Sequence, residues 1–159
     1  MLKTRKILTI VAIGAVLVFA YYAANATPVI SDQNYTYIAE LEWYNTYDAG
    51  AKAAAEAKKP MIVYFWTIWC VYCEKYHKEV FSREDIRQIL AQDFVRVAID
   101  MDVNKEDTRR FNVAAPPHVI FMTYNGEIIT RVPGYMPADE FKEVLLSVKA
   151  KASAGGATK

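Results

Sequence analysis

Cysteine is almost absent from this chain of 159 residues: there are two, Cys70 and Cys73, in a single Cys-x-x-Cys. Small disulfide scaffolds spread many cysteines along the chain, so stapling of that kind is excluded. With 53 % apolar residues the chain can bury a core without it. An excess of one charge is also missing. Lys and Arg number 19 against 18 Asp and Glu, a formal net charge of +1, and three of the cations, Lys3, Arg5 and Lys6, precede the first acid. The remainder is slightly acidic, so nothing points to a nucleic-acid partner. Internal repeats are lacking, which sets aside solenoids. The two histidines, His77 and His118, have no zinc-finger spacing to the cysteines, so no metal or other cofactor is expected. One domain is the default at this length.

One long apolar run is present. Lys3, Arg5 and Lys6 are followed by the uncharged residues 7–24 and by Ala24-Asn25-Ala26, which has the small-x-small form of a cleavage site. The run exceeds an ordinary signal-peptide core and just reaches a minimal membrane span. Residues 1–26 therefore read as a signal peptide or as an N-terminal membrane anchor, with membrane contact through residues 7–24 if uncleaved. Either reading places the domain outside the cytoplasm, in the periplasm or on the outer face of the cytoplasmic membrane. Residues 27–34, with Pro28, read as a linker, 35–150 as the domain and 151–159 as a disordered tail of small residues and Lys.

Periodicity gives the elements. Tyr35, Tyr37, Ala39, Leu41 and Trp43 alternate as a half-buried first strand. Residues 48–59, rich in Ala, Glu and Lys, read as a helix stopped by Pro60. Residues 61–66 are apolar and aromatic throughout, as in a strand buried on both faces. A charged helix follows from the cysteines to about Phe81, and Ser82 with Asp85 resembles a capping box for the next. Residues 94–99 form a strand, Asn104 caps a short helix to Arg110, and Asn125-Gly126 turns a hairpin between 119–122 and 127–132. Pro137 opens a last helix whose Phe141, Val144, Leu145 and Val148 share a face. The order β-α-β-α-α-β-α-β-β-α predicts an α/β sandwich with a mixed sheet and helices on both faces.

The cysteines thus sit where a buried strand gives way to a helix. A thiolate attacks a disulfide, and a helix N-terminus favours the thiolate through its dipole and free N–H groups. Cys70 holds that position and is expected to be the nucleophile. Cys73, one turn on, is expected to resolve the mixed disulfide. A structural disulfide is a weaker reading, because so short a loop removes little unfolded-state entropy. A zinc site would need further ligands.

The run from Phe65 through Trp66, Trp69, Cys70, Val71, Tyr72 and Cys73 resembles the strand and active-site signature of the thioredoxin superfamily, with an aromatic directly before the first cysteine. Val113-Ala114-Ala115-Pro116-Pro117-His118-Val119 falls where that superfamily places its cis-proline loop, and Asn125-Gly126 and Gly134 fall at its hairpin turn and late glycine. Within the superfamily, Cys-Val-x-Cys and a charged helix ending near Val80-Phe81-Ser82 are most similar to the C-terminal domain of DsbD-type thiol:disulfide interchange proteins and to free-standing exported relatives of that domain.

The resemblance implies a thioredoxin fold and a thiol:disulfide oxidoreductase, more a reductase or interchange protein than a strong oxidase. Its partners would be disulfide-bearing or dithiol proteins and an upstream thiol electron donor or acceptor. It also implies a substrate-binding set of Trp69, Val71, Tyr72, Pro116, Pro117 and His118, with Pro117 in cis. Two positions depart from the pattern. Tyr64 stands where thioredoxins commonly keep a buried Asp that takes the proton of the resolving cysteine. Pro116, before the expected cis residue, has no N–H to give a docked substrate strand.

Trp66 is assigned to the core and Trp69 to the surface of the site. His77, four residues after Cys73, reads as a lone surface or satisfied histidine rather than a functional one. His118 lies within one residue of the expected contact and would bias the thiolate. A different class remains: a thioredoxin-fold peptide-binding or chaperone module with little redox turnover.

Overall fold

The computed structural model describes residues 15–16 and 34–155. The expected signal peptide or anchor and the linker up to residue 33 lie outside the described residues, apart from 15–16. Among the described residues no helix is long and apolar enough to cross a membrane. The unit that begins at Gln33 holds one six-stranded sheet in the order β1 (Tyr35–Ile38), β2 (Leu41–Tyr44), β4 (Val95–Asp100), β3 (Met61–Trp66), β5 (His118–Met122), β6 (Ile128–Pro133).

Strand β3 (Met61–Trp66) is central, parallel to β4 (Val95–Asp100) and antiparallel to β5 (His118–Met122). Met61 to Phe65 are each fully buried, as their unbroken apolar run predicts. Burial of side chains this size is worth about 1.5–3 kcal/mol apiece. Alternation then divides the core. Ile62 and Tyr64 face the layer of Tyr76, Phe81, Phe141 and Leu145, while Val63 and Phe65 face Ala54 and Phe111. Strand β6 (Ile128–Pro133) closes one edge by the expected hairpin, with Gly126 at φ +88°.

The first expected strand is instead a hairpin, β1 (Tyr35–Ile38) and β2 (Leu41–Tyr44). Its turn is Ala39-Glu40, both at positive φ (52° and 62°), a conformation usually signalled by Asn or Gly. Helix α1 (Tyr47–Ala57) is capped by Thr46, whose side chain accepts from the Ala49 N–H, and ends at Lys58 in the left-handed region, two residues before Pro60.

Starting after Cys70 and containing Cys73, α2 (Val71–Lys75) lasts five residues and passes into a π-helix, Tyr76–Phe81. The wide turn brings Tyr76 and Phe81, five apart, onto one buried face, where their rings stack at 5.2 Å. The Ser82 N–H closes that turn on the His77 carbonyl. Ser82 is therefore not a cap: its hydroxyl donates to the Lys78 carbonyl, and α3 (Glu84–Asp93) starts after Arg83 with no side-chain cap, while Asp85 binds Arg83. Asn104 does cap α4 (Lys105–Arg110), accepting from the Asp107 N–H at 3.0 Å. Helix α5 spans Ala138–Gly155, so the segment expected to be a disordered tail from residue 151 is helical through Gly155.

Candidate active site

Cys70 and Cys73 are disulfide-bonded, with Cα atoms 5.1 Å apart. The two sulfurs differ in environment. Cys70 is the N-cap of α2 and keeps 8 % of its surface exposed, whereas Cys73 keeps 1 %. The Cys70 Sγ accepts the Cys73 N–H at 3.1 Å, and its carbonyl accepts from the N–H groups of Cys73 and Glu74. A sulfur at the rim of the site with helix N–H groups beside it is the one an incoming disulfide can meet and whose negative charge is favoured.

Around the pair the chain exposes an apolar collar. Trp69 is 65 % exposed, and Ile68, Val71 and Tyr72 are exposed as well. The Trp69 Nε1–H donates to Asp102 Oδ2 at 2.6 Å, in the turn after β4. The Pro116–Pro117 bond is cis, as expected. Pairing of His118 with Phe65 sets that loop at the same end of the sheet as the cysteines. The Pro117 carbonyl accepts from the Gly134 N–H at 2.9 Å, and Tyr135, next in sequence, has its ring 6.3 Å from Tyr72.

The other site residues from the sequence fall on two sides of the sheet. His118 lies against Phe65 (6.5 Å), on the face opposite Tyr64 and Cys73. Burial first and the Arg131 charge second hold its pKa below the usual value. Tyr64 is fully buried in the same core layer as Cys73, its hydroxyl has no hydrogen-bond partner among the described residues, and burial, with Tyr76 second, pushes its phenol far above the ordinary range. His77 was expected at the surface or satisfied. It is half-buried instead, and its Nε2 is buried without a hydrogen-bond partner among the described residues.

Sequence reasoning missed Asp102 and Tyr135. The only trace of Tyr135 was its place after Gly134, and Asp102, 33 residues from Trp69, left none.

Fold and site together define a thioredoxin-fold domain whose Cys70–Cys73 disulfide fits the redox centre of a thiol:disulfide oxidoreductase. A family model for the thioredoxin-like domain matches residues 47–149, and the chain belongs to that family. It is similar to the thiol:disulfide interchange protein DsbD of Haemophilus ducreyi, with 29 % identity over 125 residues, 75 % of this chain and 20 % of that protein. The chain thus spans about a fifth of that relative's length. A thioredoxin from Thermus thermophilus has a similar structure: TM-score 0.64 and 28 % identity, covering 72 % of this chain and 91 % of the other. The oxidised C-terminal domain of DsbD from Neisseria meningitidis shares the fold, with TM-score 0.55, 22 % identity and coverage of 63 % and 90 %.

Proposed function

We propose that this protein is an extracytoplasmic thiol:disulfide oxidoreductase that works as a reductase or interchange protein. The observation that carries the reading is the disulfide itself: Cys70 caps a helix at the rim of the site and Cys73 lies one turn deeper. In the reduced state the Cys70 thiolate attacks a substrate disulfide and forms a mixed disulfide, and Cys73 displaces the substrate thiol. Trp69, Val71 and Tyr72 give the substrate an apolar landing surface, and Pro116, Pro117 and His118 form the facing loop. With Pro116 unable to donate an N–H, apolar contact takes a larger share of docking. The resemblance to DsbD favours the reducing direction and a thiol partner upstream. The basic residues before the apolar stretch 7–24 favour export or anchoring.

Catalytic reduction of a protein disulfide with a dithiol as electron source tests the activity, and the measured reduction potential fixes the direction. The exposed collar also suits a peptide-binding module with little turnover. That second reading predicts stoichiometric binding and no turnover in the same assay. Recovery of the chain from the cytosolic soluble fraction with residues 1–26 intact would overturn the location.

A further inference from the structure

We propose that His77 accepts the proton of the Cys73 thiol when the mixed disulfide on Cys70 is resolved. The inference rests on the exchange reading above and adds the group that makes Cys73 reactive.

Cys73 lies in α2 and His77, four residues on, is the second residue of the π-helix that continues it, a spacing that brings the two side chains to neighbouring positions on one side of the segment. The imidazole is set among apolar rings: its centroid is 5.6 Å from Tyr64, 5.7 Å from Trp66 and 6.2 Å from Phe81. Its Nε2 is buried and, among the described residues, has no hydrogen-bond partner. Leaving a polar atom so placed is unfavourable, and a Leu or Phe would fill the same space without that cost. A nitrogen with no hydrogen bond to give up is open to take a proton, which the neighbouring hydroxyls and the indole N–H are not.

The other groups near the dithiol are unsuited. Tyr64 is held in its protonated form by burial. Glu74 is exposed and its carboxylate is engaged by the Lys78 ammonium. His118 is on the opposite face of the sheet. The groups that face His77 are Glu74, which favours its cation, the uncharged Tyr64 and Trp66 from β3, and Phe81 on its own segment; no ionised group of α3 or α5 acts on it. Burial outweighs Glu74 and lowers the imidazole pKa, so near neutral pH the ring is uncharged and able to take a proton.

The step balances. The Cys73 S–H gives its proton to the imidazole, and the thiolate attacks Cys70 Sγ. The Cys70–Cys73 bond forms as the Cys70–substrate bond breaks, and the electron pair leaves on the substrate sulfur, which is protonated from the imidazolium or from solvent. The enzyme dithiol is oxidised as the substrate disulfide is reduced.

The test is double-mixing stopped flow. The reduced full chain reacts with 5,5′-dithiobis(2-nitrobenzoate), and loss of the adduct on Cys70 is followed between pH 5 and 9 for wild type, His77→Gln and Cys73→Ser. The wild-type rate should inflect below about 6.5, the ordinary His value. For His77→Gln it should fall about tenfold or more at pH 7, with the inflection moved toward the thiol range near 8.5. An unchanged His77→Gln profile from pH 6 to 8, with Cys73→Ser trapped, overturns the role of His77 alone. Resolution by Cys73→Ser at the wild-type rate overturns the exchange reading and this inference with it. Should His77→Gln not fold, NMR titration of His77 in the wild-type chain decides: different midpoints in the dithiol and disulfide forms support the coupling, and identical midpoints overturn it.

Discussion

The indole of Trp69 is tied to Asp102 by a 2.6 Å hydrogen bond, so the residue before the outer cysteine is held by the turn that follows β4. The bond fixes the edge of the apolar collar relative to the sheet, because Met101, next to Asp102, also donates its N–H to the Trp66 carbonyl. For Asp102→Ala we expect a freely rotating Trp69, seen as a changed tryptophan emission, and a KM for a protein disulfide raised about fivefold, the equivalent of one hydrogen bond of about 1 kcal/mol. Melting temperature should hardly move, since both partners are exposed. An unchanged KM with altered emission would show that Trp69 does not touch substrate.

The asymmetry of the two sulfurs gives a second expectation. Cys73→Ser should accumulate mixed disulfides through Cys70, because the attacking sulfur remains and the resolving one is gone. Cys70→Ser should trap little, since Cys73 is nearly inaccessible. Equal trapping by the two variants, read on non-reducing gels, would reverse or erase the assigned roles.

What could be read in advance follows from how local the signal is. The run 61–66, the Cys-x-x-Cys at its end, the Asn104 cap and the Asn125-Gly126 turn are encoded by residues adjacent in sequence, and each matches the structure. The β1–β2 turn was hidden because Ala39 and Glu40 adopt positive φ without the residues that advertise it. The π-helix was hidden because it arises from the need of Tyr76 and Phe81 to face one core, a tertiary demand. His77 was misjudged for the same reason. Its surroundings come from β3, and spacing alone does not show that they are apolar.

Gly50 lies in the middle of α1, where Ala would ordinarily gain about 1 kcal/mol of helix propensity. Here a Cβ would stand 2.1 Å from Val97 Cγ2 on β4. Overpacking of a well-filled core costs about 1–3 kcal/mol, so Gly50→Ala should lower stability despite the better helix former. Adding Val97→Ala should recover part of the loss, and a denaturation double-mutant cycle measures it. Simple additivity of the two changes would remove the steric explanation.

Stability should fall on mild acidification. Burial foremost lowers the pKa of both His77 and His118, Arg131 adding to the effect at His118 and Glu74 opposing it at His77. Below the unfolded value of about 6.5, the unfolded chain takes up protons that the folded chain refuses, so the fold loses stability as pH drops from there toward the folded values. Above that pH the two rings contribute nothing to the slope. The low-lying Asp85 carboxylate, held down by Arg83 and Lys142, acts only at more acidic pH. Urea midpoints at pH 7.5 and 5.5 should therefore differ, and the difference should shrink in His118→Asn. A wild-type midpoint equal at both values would contradict the account.

Tyr64 separates stability from chemistry. Its ring is packed by Trp43, Tyr76, His77 and Phe81, with centroids between 5.1 and 6.1 Å, and contributes apolar contact that Phe would preserve. Its hydroxyl is buried and, among the described residues, unpartnered, at a cost of about 1–3 kcal/mol that Phe would not carry. Burial raises its pKa far out of the working range, so the hydroxyl stays protonated and takes no proton from Cys73. Tyr64→Phe should then raise the melting temperature while leaving the rate of mixed-disulfide resolution and its pH profile as in wild type. Tyr64→Asp should do the opposite to the fold, because an acid among these rings has nothing to offset its desolvation. Slower resolution in a stabilised Tyr64→Phe variant would mean that the phenol hydroxyl does take part in proton transfer, and that its isolation in the structure is not the state in which resolution occurs.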